Sequence, residues 1–260
     1  MPQLSTGEFS LVYNFLSFTL AAMIASFIFF ILSRDQVSPK YRGALVISAI
    51  IVSVACYHYF RIFDSWNNAY SVVNDLVTAT GKPFNDAYRY VDWFLTVPLL
   101  ITELILVMSI SAGKRRALTV RLMIAAAAMI ALGYPGEIAT TAETHILWGT
   151  LSTIPFIYIM YELFIGLGPV IAKEKGHAKV LIRNIRLLLV ATWGFYPIVF
   201  MIPIFVGTQT NTAIVGVQVG YCIADVLAKC GYGLMIYAIA RAKTISEKTN
   251  SSVEVDSLVN

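Results

Sequence analysis

Lys229 follows Asp225 by four residues inside the apolar stretch 219–233. On a helix that spacing turns both side chains to one face. A charged amine at mid-membrane depth is costly unless it is paired, wetted or covalently modified. A primary amine in a dry pocket also condenses with an aldehyde to form a Schiff base. The pair therefore offers two kinds of chemistry: covalent attachment of a carbonyl cofactor, and passage of charge through an apolar layer.

The other ionisable residues well inside apolar stretches are His58, Arg89, Asp92 and Glu103. Residues of this kind within membrane spans are functional candidates by default. Asp92 and Thr96 are four apart, hence neighbours on a helix. Asp92 and Glu103 are eleven apart, which is three turns and about 16 Å along one face. With Lys229 between them in depth, the order Arg89, Asp92, Lys229, Glu103 has the layout of a proton path.

The elements that must position these residues are transmembrane helices. The 260 residues are 58% hydrophobic and 13% charged, with a mean hydropathy of +0.72. A soluble domain of this size carries about twice that charged share. Cys56, Cys222 and Cys230 all fall in apolar segments and give neither a disulfide framework nor metal-ligand spacing. About 20 apolar residues span the hydrocarbon core. Seven stretches qualify: 9–32, 43–63, 86–110, 117–135, 143–166, 180–206 and 213–241. The first lacks a basic leader and a small-residue cleavage site, so it reads as a retained helix. Lys and Arg gather in the connections after the first, third and fifth spans and after the last, whereas the alternate connections hold only Lys82. The positive-inside rule then puts the N-terminus outside and the C-terminus in the cytoplasm. The expected fold is an all-α seven-helix membrane bundle over 1–243. A short β-hairpin in the 64–85 loop turns at Asn74–Asp75, and 244–260 form a frayed, polar cytoplasmic tail.

Three motifs carry a resemblance. They are Arg89–Tyr90–Val91–Asp92–Trp93 with Thr96 and Glu103, Trp193–Gly194–Phe195–Tyr196–Pro197, and Asp225–Val226–Leu227–Ala228–Lys229. Across all seven spans the chain resembles the microbial rhodopsins, within them the proteorhodopsin and xanthorhodopsin group of outward proton pumps. The resemblance implies all-trans retinal bound to Lys229 as a protonated Schiff base. It makes Asp92 the counterion and proton acceptor, Asp225 the second counterion, Arg89 their modulator and Glu103 the cytoplasmic proton donor. The apolar neighbours of Glu103 suit a carboxyl that must keep its proton until needed. His58 matches the histidine paired with the acceptor aspartate. The triplet Asp92, Thr96, Glu103 separates this chain from anion pumps, which need a neutral first residue, and from sodium pumps, which carry Asn, Asp and Gln.

The same resemblance assigns a pocket. Trp93 and Trp193 match the tryptophans that sandwich the polyene, and Tyr196 and Tyr59 match tyrosines near the Schiff base. Pro197, Ser152 and Phe156 join the lining. Leu100 stands where an apolar residue goes with green absorption and a glutamine with blue. Gly149 falls where many relatives have a bulky tryptophan, and where a glycine opens a lipid-facing window used by a carotenoid antenna in xanthorhodopsin-like proteins. The alternative for Gly149 is close helix packing alone. Residues 204–224 hold no Asp or Glu, so proton release is expected late or through another group near Arg89.

The implied partners are protons, membrane lipids and further copies of the chain in a pentamer or hexamer. The implied place is the bacterial inner membrane. No enzyme activity, metal or nucleic acid is expected. Two other function classes stay open: a retinal photosensor signalling through a partner protein, and a seven-helix receptor without photochemistry. Glu103 argues against the first, and the Asp225–Lys229 pair against the second.

Overall fold

Ser5 starts the first helix through a reciprocal pair of bonds. Its hydroxyl accepts from the Glu8 amide at 3.2 Å, and the Glu8 carboxylate accepts from the Ser5 amide at 2.8 Å. Such a capping box satisfies two groups that a helix start leaves unpaired. The computed structural model describes residues 3–73, 76–207 and 210–259, most of them helical. The helices are α1 (Thr6–Ser33), α2 (Pro39–Ala69), α3 (Tyr88–Val107), α4 (Ala112–Glu137), α5 (Ala142–Tyr161), α6 (Gly168–Lys173), α7 (Gly176–Val206), α8 (Asn211–Asp225) and α9 (Tyr232–Val259). Wider π turns at Glu162–Gly166 and Val226–Gly231 follow α5 and α8. The second makes α8 and α9 one continuous span, and α5 with α6 form another. Among the described residues, seven spans are long and apolar enough to cross a membrane.

Most of the helices outrun the apolar stretches that predict them, while α3 falls short of 86–110 at both ends. The second extends to Ala69 rather than 63, so the following connection begins in strand β1 (Tyr70–Val73), paired antiparallel with β2 (Leu76–Ala79). Helix ends are set by caps and turns, whereas an apolar run marks only the part that lies in hydrocarbon. Tyr70 faces Ala79 and Val72 faces Val77 in the hairpin. Its expected turn, Asn74–Asp75, lies outside the described residues. Val77 is the buried residue of β2 and packs with Tyr70, Trp66 and Leu16 beneath the face that carries the N-terminus.

The expected frayed tail is not a separate segment. Helix α9 continues to Val259, and its flank is bound to the start of α2. Thr244 accepts from the Ser38 amide at 2.8 Å, Glu247 pairs with Lys40 at 2.6 Å, and Tyr41 donates to Glu247 at 2.7 Å. Polar composition suggested fraying, but these partners lie about two hundred residues away in the chain, beyond what local pattern reports.

Burial ranks the spans. In α3 the most apolar window is 67% buried and in the α8–α9 span 61%, against 22% in the first, fifth and sixth spans. The third and seventh spans are therefore the centre of the bundle. They carry Asp92, Glu103, Asp225 and Lys229.

Candidate functional site

The π turn after α8 puts Lys229 on a locally widened segment, a distortion often found where a helix serves a function. Its amine meets two carboxylates. Lys229 Nζ donates to Asp225 Oδ1 at 2.6 Å and lies 3.0 Å from Asp92 Oδ2. All three side chains are buried. Charges withdrawn from water persist only when paired and hydrogen-bonded, and here one cation faces two anions.

The two aspartates differ in what else they hold. Asp225 accepts from Tyr59 at 2.7 Å, from the Trp93 indole at 3.1 Å, and from the Tyr196 hydroxyl. With the amine, this nearly fills the roughly four lone-pair directions of a carboxylate. Asp92 makes no such set: beyond its contact with Lys229, neither carboxylate oxygen has a hydrogen-bond partner among the described residues. Thr96, its expected neighbour, donates to the Asp92 backbone carbonyl at 2.9 Å and not to the carboxylate. Only one of the two anions is fully occupied.

His58 and Arg89 do not sit as direct partners of Asp92. His58 Nδ1 is 2.9 Å from the Val54 carbonyl, and among the described residues no ion pair joins its ring to Asp92. The Arg89 guanidinium lies between the rings of Tyr59 and Tyr221, 5.5 Å from each centroid, and its ion pair is with Asp86 at 3.6 Å. Asp86 also accepts from Gln218 at 2.8 Å. Glu137, at the end of α4, accepts from Tyr90 and Tyr221, both at 3.3 Å. An acidic cluster thus lies on the Arg89 side of the site, built from the connection just before α3 and the end of α4 rather than from the connection between the last two spans.

Glu103 lies deeper along α3 and is fully buried. Ser48 on α2 donates to its Oε2, its Oε1 has no protein partner, and no cation pairs with it among the described residues. A carboxyl in such surroundings is far cheaper to hold neutral than charged.

Beside Lys229 a cavity encloses about 810 Å³ of space between side chains, its mouth included. Trp93, Trp193, Tyr196, Pro197, Leu100, Ser152, Phe156 and Gly149 line it, as do Tyr90, Tyr221, Met129, Ile130, Gly133 and Phe200. Tyr59 is not in the lining and instead holds Asp225. The walls are mostly apolar, and among the described residues Lys229 is the one cation in them. That donor set fits retinal, an apolar chain ending in an amine-reactive aldehyde.

Several site residues escape a sequence reading. Ser48 offers the signal of a lone hydroxyl in an apolar span, but only tertiary contact reveals its partner. His145, Tyr221 and Phe200 carry no such signal, since aromatic residues in membrane helices mostly pack. His145 is buried, with Nε2 2.8 Å from the Phe200 carbonyl, and its ring centroid is 3.8 Å from that of Phe200. A Cβ on Gly149 would lie 2.8 Å from Phe200 Cε1. The space freed by that glycine is therefore taken by Phe200.

The family model for bacteriorhodopsin-like proteins matches residues 11–243. The crystallographic structure of xanthorhodopsin, described as a light-driven ion pump with dual chromophore, is 53% identical, covers 95% of this chain and 99% of its own, and superposes with a TM-score of 0.92. A thermophilic rhodopsin is 48% identical with a TM-score of 0.91, covering 95% and 99%. The green-light absorbing proteorhodopsin of Gamma-proteobacterium EBAC31A08 is 27% identical over 244 residues, 92% of this chain and 89% of the relative.

Proposed function

The chain belongs to the bacteriorhodopsin-like protein family, and on that premise we propose that it is a light-driven outward proton pump of a bacterial cell membrane. Retinal, joined through its aldehyde to Lys229 Nζ as a Schiff base with loss of water, would supply visible absorption and a light-driven change of shape at that nitrogen. The observation that carries the reading is the unequal occupation of the two aspartates. Asp225 already accepts from Tyr59, Tyr196, Trp93 and Lys229, so it serves as a fixed counter-charge. Asp92 Oδ2, 3.0 Å from Nζ and otherwise unbonded, has room for the proton that leaves the nitrogen.

Glu103 supplies the return proton from the opposite side. Buried with one hydroxyl donor and no cation, it keeps a proton at rest and gives it up when the nitrogen above it is empty. Direction follows from the order along α3, with Asp92 toward the face carrying the N-terminus and Glu103 toward the other. The N-terminus outside and the C-terminus in the cytoplasm, as the basic connections require, make that direction outward. The work is ion transport rather than enzymatic turnover. An assembly of five or six copies in the lipid bilayer completes the reading.

Leu100 in the cavity wall supports green absorption. A carotenoid antenna at Gly149 is supported by the likeness to xanthorhodopsin and its dual chromophore. Photosensors often lack a carboxyl proton donor, and the buried Glu103 speaks for the pump over that reading.

The test is illumination of an unbuffered suspension of cells expressing the protein with all-trans retinal. Acidification that a protonophore abolishes is the expected result, and acidification unchanged by the protonophore sinks the pump reading. An action spectrum of the same signal separates the pigments. Retinal alone gives one green band, a bound carotenoid adds structured bands at shorter wavelength, and a single blue band overturns the Leu100 assignment.

A further inference from the structure

Phe200 is placed where the pump reading assigns it no task. Its ring fills a slot made by two glycines of neighbouring helices. A Cβ would lie 2.9 Å from its Cζ at Gly136 on α4, and 2.8 Å from its Cε1 at Gly149 on α5. Real Cβ atoms do not approach so closely, so each glycine is what admits the ring. Phe200 also lines the cavity that holds Lys229.

The slot lies at the cavity's edge. Thr153 on α5 and Pro197 on α7 both line the cavity and are exposed, so its wall reaches the lipid-facing surface between those two helices. At two other places the lining is held by polar contacts. Tyr90 and Tyr221 are joined through Glu137, and the amine end is locked by the two aspartates.

We propose that Phe200 is the door of a lateral port between α5 and α7, through which the polyene aldehyde passes from the bilayer to Lys229. The proposal rests on the retinal reading above. Rotation of the Phe200 ring out of the slot frees the space between the two glycines at the edge of the cavity. The backbone need not move with it. His145 Nε2 holds the Phe200 carbonyl at 2.8 Å, which leaves rotation about the side-chain bonds as the opening motion. Pro197 and Pro203 flank the position in α7, and each removes one amide from the helix ladder. That loosens the segment which carries the door.

The experiment follows two rates in the purified protein. One is the appearance of the visible band after all-trans retinal is added to retinal-free protein; the other is dark bleaching of the loaded protein by hydroxylamine. Phe200→Ala is expected to speed both several-fold and Phe200→Leu by less. Ile198→Ala, a similar truncation of a lipid-exposed side chain on the same helix, leaves both rates as in the parent. Thermal unfolding of the retinal-free proteins checks that faster access is not mere loosening. Rates for Phe200→Ala equal to the parent's, or matched by Ile198→Ala, overturn the port and leave the pump reading intact. A parent protein that forms no visible band sinks the retinal reading and the port with it.

Discussion

Asp92 and Asp225 are the same residue type within reach of one amine, yet their surroundings give them different work. Asp225 is held by two phenols and an indole from three helices, and Asp92 by the amine alone. Asp92→Asn removes the carboxylate that the pump reading makes the acceptor, and one of the two anions that face Lys229. Light-driven acidification is then expected to vanish, and the visible band to shift to the red, since a less stabilised cation narrows the excitation gap. A variant that still pumps moves the acceptor role elsewhere. Glu103 gives a graded test. Among the described residues the Ser48 hydroxyl is its one protein donor, and a hydrogen bond to a charged carboxylate is worth about 1.5–3 kcal/mol. Ser48→Ala is therefore expected to slow recovery of the photocycle by about tenfold or more, and Glu103→Gln by more again, both read by flash spectroscopy. Equal recovery in the parent and Glu103→Gln removes it as donor. Asp92, Glu103 and Lys229 were legible in the sequence because charges in apolar runs are rare. Ser48 was not, because a hydroxyl in such a run is common and only its partner gives it meaning.

At the scale of elements, the two π turns and the last helix set what the residues can do. The turn at Val226–Gly231 lies just after Asp225 and contains Lys229, keeping the two within 2.6 Å although the helix widens between them. Where α9 leaves the apolar layer, Lys243 pairs with Glu174 at 2.7 Å and donates to Ser109 at 3.0 Å, while the Ser109 amide donates to Glu174 at 2.9 Å. One buried ion pair thus ties the seventh span to the connections that follow the third and fifth. Lys243→Ala leaves Glu174 buried without its cation, at a cost of about 3 kcal/mol. A clear drop in the unfolding midpoint in detergent is expected, with the visible band unmoved. An unchanged midpoint makes the pair incidental. Hydropathy located each span to within a few residues of its middle. It missed the ends, and it missed the helical run past residue 243, because those are decided by caps and by pairs such as Glu247 with Lys40 and Tyr41.

The whole molecule is arranged around its third and seventh spans, with lipid-facing helices around them. That arrangement buries the ion cluster, and beside it lies an apolar cavity whose lining includes both Lys229 and Phe200. The amino-acid sequence alone determined seven spans and the amine and carboxylates within them. Each of those follows from the cost of burying charge or backbone in hydrocarbon, which a linear chain already displays. Only the tertiary structure decided which aspartate is saturated, that Arg89 faces Asp86, that Ser48 serves Glu103, and that Phe200 fills the space left by Gly149. Those are contacts between helices, set by rotation and depth to within an ångström, and hydrophobic pattern fixes only the face a helix buries and not the partner it meets there.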